Sequence, residues 1–374
     1  MREFSNYIGL DVHKETIAVG IADNDGAEPR FWGTIRHEAE AVRRMVQRLS
    51  RRGRRLKFCY EAGPCGYGLY RQLGKLGQAV TVVAPSLIPR SPGERIKTDR
   101  RDALSLARLD RRGDLSAVWV PGEDHEAVRD LSRAREDLKI VDKQMRQRLN
   151  ALLLRHGKVY EGRQRWTQAH FRWLERQRFA SPYQQIVFEE YIEAVRQAQA
   201  RTANLEQVLR EAIQEWSLGE TATALTALRG VDQIASMTML AELGDITRFS
   251  RPPELMSFVG LTPSESSSGS RRRQGGLTKA GNAHVRRMLI ECAWGYRFPA
   301  RKTAVIQRRA EKSSPQVQAL AWQAQQRLCG KFRRLAARRK PSTVIVVAIA
   351  RELLGFMWAI TKEVKRQQLL SEAA

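Results

Sequence analysis

The hydrophobic rhythm of this chain changes near Asp124, and that change limits what it can fold into more than any other feature. Before it, apolar residues come in short β-rich runs broken by turn formers. Tyr7-Ile8-Gly9-Leu10, Thr16 to Ile21 and Phe31 to Ile35 read as three strands, with Asn24-Asp25-Gly26 as a turn. Glu38 to Arg52 then spaces Ala41, Val42, Met45, Val46 and Leu49 along one helical face and stops at Gly53. A strand over Leu56 to Tyr60, a helix over Tyr67 to Leu76 and a strand over Ala79 to Ala84 continue the alternation, which predicts an α/β sheet.

Beyond Asp124 the period becomes seven: Leu131, Leu138, Met145 and Leu152 recur along one stripe, with Val128 and Leu149 on the neighbouring seam. A second long helix is expected from Gln184 to Trp216, with Ala198, Leu205, Leu209, Ala212 and Trp216 on one side. Two such helices pair antiparallel within one chain or mediate self-association. Residues 225–243 set Gly230-Val231 between two apolar, small-residue stretches, the pattern of a helix-hairpin-helix. There the turn and the start of a helix near Gln233 meet a phosphate; a plain helix stop at Gly230 is the other reading. Thr262 to Gly276 is a Ser/Gly/Arg-rich polar loop, followed by a basic helix from about Asn282. The apolar run Val344 to Ala350 is cut by Arg351 and Glu352 and reads as a core helix, not a membrane span. The expected fold is α/β plus all-α: an α/β domain over 1–122, a coiled-coil-like helical middle over 123–218, a mainly helical domain with the serine loop over 219–330, and basic C-terminal helices over 331–374.

Charge points to the partner. The 374 residues carry 65 Lys and Arg against 40 Asp and Glu, a formal charge of +25. From Ser266 to Lys340 there are 19 Lys and Arg and only 2 acids, so one fifth of the chain holds most of the excess. A run this dense and uncompensated favours phosphate contact over a merely solvated face. Cys59, Cys65, Cys292 and Cys329 form no CxxC pair and have no zinc-like His spacing, so they read as reduced thiols. Met1 leads straight into a polar turn with no signal-peptide pattern, and the expectation is a cytoplasmic protein.

Four carboxylates suggest chemistry. Asp11 ends the first strand and Glu61 ends the fourth, while Asp99 and Asp102 stand three apart at the start of a helix and so share a face. Singly, each has a structural explanation: a turn former, or an N-cap in the case of Asp99. Converging, they repel unless a cation joins them. Mg²⁺ suits an all-oxygen set, and two such ions, or Mn²⁺ in their place, activate and stabilise oxygens at phosphorus.

These residues also sit in recognisable strings: Gly9-Leu10-Asp11-Val12-His13-Lys14, Tyr60-Glu61-Ala62-Gly63-Pro64, Lys97-Thr98-Asp99-Arg100-Arg101-Asp102-Ala103, and Phe258-Val259-Gly260-Leu261-Thr262-Pro263 through Thr278-Lys279-Ala280-Gly281-Asn282. Together they resemble the DEDD transposases of bacterial insertion sequences, the IS-one-ten family, over nearly the whole chain. The resemblance implies a ribonuclease-H-like, resolvase-like N-terminal domain holding metal on Asp11, Glu61, Asp99 and Asp102. It implies a catalytic serine before a glycine, matched by Ser268 with Ser266 and Ser267 adjacent. It further implies element-end and target DNA as substrates, a structured guide RNA as partner, and a dimer or tetramer in the bacterial cytoplasm, associated with the nucleoid. Around such a serine, Arg271, Arg272, Arg273 and Lys279 are expected to neutralise phosphates, with Asn282, His284, Arg286 and Arg287 continuing the nucleic-acid surface. Two other readings keep part of this pattern: a junction resolvase or ribonuclease that cuts without joining, and a basic, non-catalytic nucleic-acid-binding regulator.

Overall fold

The computed structural model describes residues 4–89, 98–268 and 271–372, and the chain divides into two compact units, 1–120 and 121–374.

Unit 1 is built on a five-stranded sheet. Its elements are β1 (Asn6–Val12), β2 (Thr16–Asp23), β3 (Arg30–Arg36), α1 (Ala39–Leu49), β4 (Leu56–Glu61), α2 (Gly68–Lys75), β5 (Ala79–Val83) and α3 (Asp99–Arg112). The strand order is β3-β2-β1-β4-β5; β1, β2 and β3 run antiparallel in sequence, and β4 and β5 join parallel to β1. Alternation sends Ile8, Leu10, Phe58 and Tyr60 to one face, where Val42, Met45 and Leu49 of α1 and Leu69 and Leu73 of α2 complete the core. The other face carries α3.

Close contact fixes how α3 lies. A Cβ on Gly9 would collide with the Ala103 carbonyl and the Ala107 amide, and one on Gly20 with the Ala103 carbonyl again. Only a side-chain-free strand lets the helix settle this low, so the two glycines set the height of α3 over β1 and β2. Thr98 caps the helix, its hydroxyl accepting from the Arg101 amide at 3.3 Å, so Asp99 is the first helical residue and not the cap.

Among the described residues, unit 2 is helical apart from one hairpin. It comprises α4 (Glu123–Arg155), α5 (Gln168–Glu175), α6 (Pro182–Ala212), α7 (Gly219–Leu225), α8 (Gln233–Leu243), α9 (Pro252–Phe258), β6 (Pro263–Ser268), β7 (Arg271–Leu277), α10 (Ala283–Ala293), α11 (Ala304–Ala310), α12 (Pro315–Ala337) and α13 (Ser342–Glu372). The helices α4 and α6 pack antiparallel: Leu149, Leu152 and Leu153 meet Phe188 and Ile192, and Arg135 pairs with Glu206 at 2.6 Å. Trp166, Phe171, Trp173 and Phe179 pack around the first of these clusters, an apolar role for aromatics that lie among arginines in sequence. One large core runs from Val128 to Val364 and draws on α7 to α10, α12 and α13. By length and composition α13 could cross a membrane, but its buried stripe, including Ile345, Ile349, Leu353, Met357 and Ile360, packs against α7, α9, α10 and α12.

The stretch expected as an irregular polar loop is instead an antiparallel hairpin, in which Ser266, Ser267 and Ser268 stand opposite Arg273, Arg272 and Arg271. Strand pairing is made by the main chain and needs no apolar pattern. The hairpin root explains its order: Gly260 (φ +73°) and Gly281 (φ +68°) cross so tightly that a Cβ on either would strike the Ala280 or Phe258 carbonyl.

Candidate active site

Two residues of strand advance about 6.8 Å, and four residues of helix about 6 Å. Gly9 lies under Ala103, so Asp11, two residues along β1, comes level with Asp99, one turn earlier in α3. The low seating of α3 is therefore what brings the two carboxylates together. In the parallel register Leu10 pairs with Tyr60, which sets Glu61 beside Asp11 at the ends of adjacent strands. Gly9 faces α3 and Cys59 donates to the Leu106 carbonyl at 3.5 Å, so Asp11 and Glu61, each two residues on, share the α3 face.

The tight group is smaller than the four carboxylates expected. Ligand atoms of Asp11, His13 and Asp99 lie within 4.8 Å of one another; Glu61 and Asp102 stand outside that group. His13 Nε2 is 3.2 Å from Asp11 Oδ2 and 3.4 Å from Asp99 Oδ1. In the sequence, His13 is one residue of the Gly9-to-Lys14 string with no role of its own. Its signal was the Asp-x-His spacing at a strand end, which puts both side chains on one face.

Burial raises the Asp11 carboxyl above its ordinary value; His13 opposes this, and the Asp102 and Asp99 carboxylates raise it further. So Asp102 acts on Asp11 electrostatically from outside the tight group. The donor set fits a hard divalent cation: several carboxylate oxygens converge, they repel one another, and one imidazole is a weak counterweight.

The expected nucleic-acid residues fare unevenly. Gly269 and Ser270 lie outside the described residues, as do the side chains of Ser267, Ser268, Arg271 and Arg272. Arg273 and Lys279 are exposed, and Lys279 holds a left-handed backbone (φ +54°) at the hairpin root. The others are engaged inside unit 2. Asn282 caps α10 through the His284 and Val285 amides and donates to Glu242 at 2.6 Å. Arg286 donates to the carbonyls of Val259, Ala280 and Gly281 at 3.0, 2.5 and 3.1 Å, binding both sides of the root. Arg287 reaches Glu136 at 2.5 Å and Glu291 at 3.0 Å, and burial pushes the His284 imidazole below its ordinary value. Glu242, Glu136 and Arg133, which complete this network, left no local signal because their partners are distant in sequence.

Comparison with known proteins gives these features a context. A DEDD transposase model of the IS110 group matches residues 8–157, and a model described as the transposase IS116/IS110/IS902 family matches residues 222–305. The y4qE protein of Sinorhizobium fredii, which carries a transposase name, is 46% identical over 96% of this chain and 89% of its own length. The transposase for insertion sequence element IS1533 of Leptospira borgpetersenii is 32% identical over 89% of this chain and 97% of its own length. That for element IS1328 of Yersinia enterocolitica is 22% identical over 78% of this chain and 80% of its own length. With both carboxylate-bearing and hairpin-bearing regions matched, and relatives aligned nearly end to end, this chain belongs to the IS110 family of DEDD insertion-sequence transposases.

Proposed function

We propose that the chain cuts and rejoins the DNA of its insertion sequence by phosphoryl transfer, with metal held by Asp11, Glu61, Asp99 and Asp102 and with Ser268 as nucleophile. The observation that carries this is the gathering of Asp11 and Asp99, under the influence of Asp102, where the parallel strands β1 and β4 end. The order β3-β2-β1-β4-β5, with three antiparallel strands followed by two parallel ones, supports a ribonuclease-H-like reading of residues 1–122. The antiparallel α4–α6 pair supports a coiled-coil-like arm over 123–218, and α7, the Gly230 turn and α8 support a helix-hairpin-helix-like segment within 219–330. Residues 331–374 would form a basic helical end.

A bound Mg²⁺, or Mn²⁺, would supply Lewis-acid stabilisation of the charge that builds on phosphate oxygens. The chain's own groups do the rest. Asp11, Glu61, Asp99 and Asp102 would hold the cation from the ends of β1 and β4 and the first turn of α3. The Ser268 oxygen bonds to phosphorus, the departing sugar hydroxyl keeps the oxygen of the broken bond and gains a proton, and the protein is left esterified to a DNA end. Attack by another sugar hydroxyl reverses the step and joins strands, with one phosphoester exchanged for another each time. Arg273 and Lys279 lie close to Ser268 in the chain and would neutralise flanking phosphates. A structured RNA from the element as guide, and assembly into dimers or tetramers through the arm, complete the proposal.

Element-end DNA incubated with Mg²⁺ tests it. The parent chain should leave a covalent protein–DNA adduct on a denaturing gel and form joined strands; Ser268→Ala should do neither, and Asp11→Asn should not cut. A Ser268→Ala chain that still joins strands removes the serine role and leaves a metal-only mechanism.

A further inference from the structure

A cavity of about 470 Å³ opens in unit 2 between the end of α6, the helix α7, the start of α8 and the end of α11. Arg210, Arg309 and Lys312 line it, against one carboxylate, Asp232. That carboxylate is committed to the chain, since it accepts the Ala235 amide at 2.8 Å as the cap of α8. The cations are held loosely: Arg210 is 3.4 Å from Glu206, and Arg309 is 3.4 Å from the Val231 carbonyl. Thr223, Gln214 and Gln233 add neutral hydrogen-bonding groups to the wall. No aromatic ring is among the lining residues, so the wall offers nothing for a base to stack on. Cationic and amide donors without rings suit phosphate and sugar, the contacts that position a strand without reading its sequence. Gly230 stands at the same turn, but its missing side chain leaves room for the Cys292 carbonyl, so packing against the end of α10 accounts for that glycine.

We propose that this cavity seats the phosphodiester backbone of the nucleic acid on which the transposase acts, as a sequence-independent phosphate cleft separate from the carboxylate site and the serine hairpin. Cations from α6 and α11, far apart in sequence, would grip one strand, and the threonine and glutamines would orient it.

The test uses the full chain and three fluorescent probes: an element-end duplex, a duplex of scrambled sequence, and a single-stranded RNA of the element-end sequence. Arg309→Ala with Lys312→Ala should weaken binding on the order of tenfold. Loss of two phosphate contacts should also flatten the dependence of log affinity on log salt by about 1.8 for duplex, or about 1.4 for single strand. Arg309→Lys with Lys312→Arg should restore both. If the double alanine chain does not fold, Lys312→Ala at its exposed position should show about half the slope change. Equal losses on both duplexes place DNA in the cleft, and a loss confined to the RNA places RNA there; either supports the proposal. Unchanged affinity and slope on all three probes, or a loss confined to the element-end sequence, overturns it. Cleavage by Asp11→Asn reads the metal site and binding by the Arg309 and Lys312 variants reads this cleft, so the two proposals fail separately.

Discussion

Two carboxylates, one in each unit, are handled in opposite ways. The Glu242 side chain is 3% exposed; Arg133 grips it through two nitrogens at 2.7 and 3.0 Å, and Asn282 donates at 2.6 Å. Burial alone raises its carboxyl, but the Arg133 hydrogen bonds and charge, with Asn282 and Arg129, outweigh this and hold it below the ordinary range. The Asp11 side chain, 17% exposed, is also raised by burial, yet the fold gives it His13 and then more carboxylates, and it stays above the ordinary range. In unit 2 the chain supplies the cation and uses the pair to tie α4, α8 and the root of α10 together. In unit 1 it gathers like charges, an arrangement that costs stability unless an added cation relieves it. A carboxylate with its counter-charge built in is architecture; one without it is poised for a ligand.

The contrast breaks most plainly on substitution. Asp11→Asn should reduce cleavage about a thousandfold or more, because several kcal/mol of charge stabilisation goes with the metal. The same change should not lower the melting temperature in the absence of divalent ions. Added Mg²⁺ should raise the melting point of the parent chain and leave that of Asp11→Asn where it is. A variant that melts early without metal would put Asp11 in the same structural class as Glu242.

Glu242→Ala should do the reverse. The Asn282 amide loses its acceptor and Arg133 its partner, at a cost of about 2 kcal/mol, or roughly 4–8 °C in melting temperature. Gly9→Ala should cost about 1–3 kcal/mol by overpacking against α3. Unlike Glu242→Ala, it should also lift Asp99 away from Asp11, so cleavage measured well below the melting point falls as well. If Gly9→Ala cleaves normally once folded, the height of α3 does not set the site.

How much of this was legible in sequence follows from how local each cause is. The strands of unit 1 emerged within a few residues of their expected ends, because β-branched and aromatic runs between turn residues carry their own signal. Asp11 and Asp99, which the fold brings together, stood out for the same reason, as acids at the ends of readable elements. The β6–β7 hairpin did not, because its order comes from Gly260 crossing Gly281 and from Arg286 bonding three carbonyls, not from the composition of its strands. Basic residues near Asn282 read as phosphate contacts, but the Arg287 partner, Glu136, lies 151 residues away and no local window contains it. His13 was hidden differently: a single histidine at a strand end is common, and its meaning depends on Asp99 arriving from another element.

Acid should separate the two carboxylates by sign, with the smallest effects of all. The folded value of Glu242 lies below its ordinary 4.5, so its stabilisation is complete above about 4.5 and is lost as pH falls through the folded value. The folded value of Asp11 lies above its ordinary 3.8, so ionised Asp11 destabilises the fold at neutral pH, and that penalty fades as pH falls through the folded value towards 3.8. Without divalent ions, Glu242→Gln should therefore melt below the parent at pH 7 and Asp11→Asn above it. Both differences should shrink on acidification, closing from opposite sides. Thermal melts of the full chains between neutral pH and the acid limit of folding read this directly. Differences of the same sign at pH 7 would mean that the fold itself already satisfies Asp11, and the case for a cation at that site would lose its electrostatic basis.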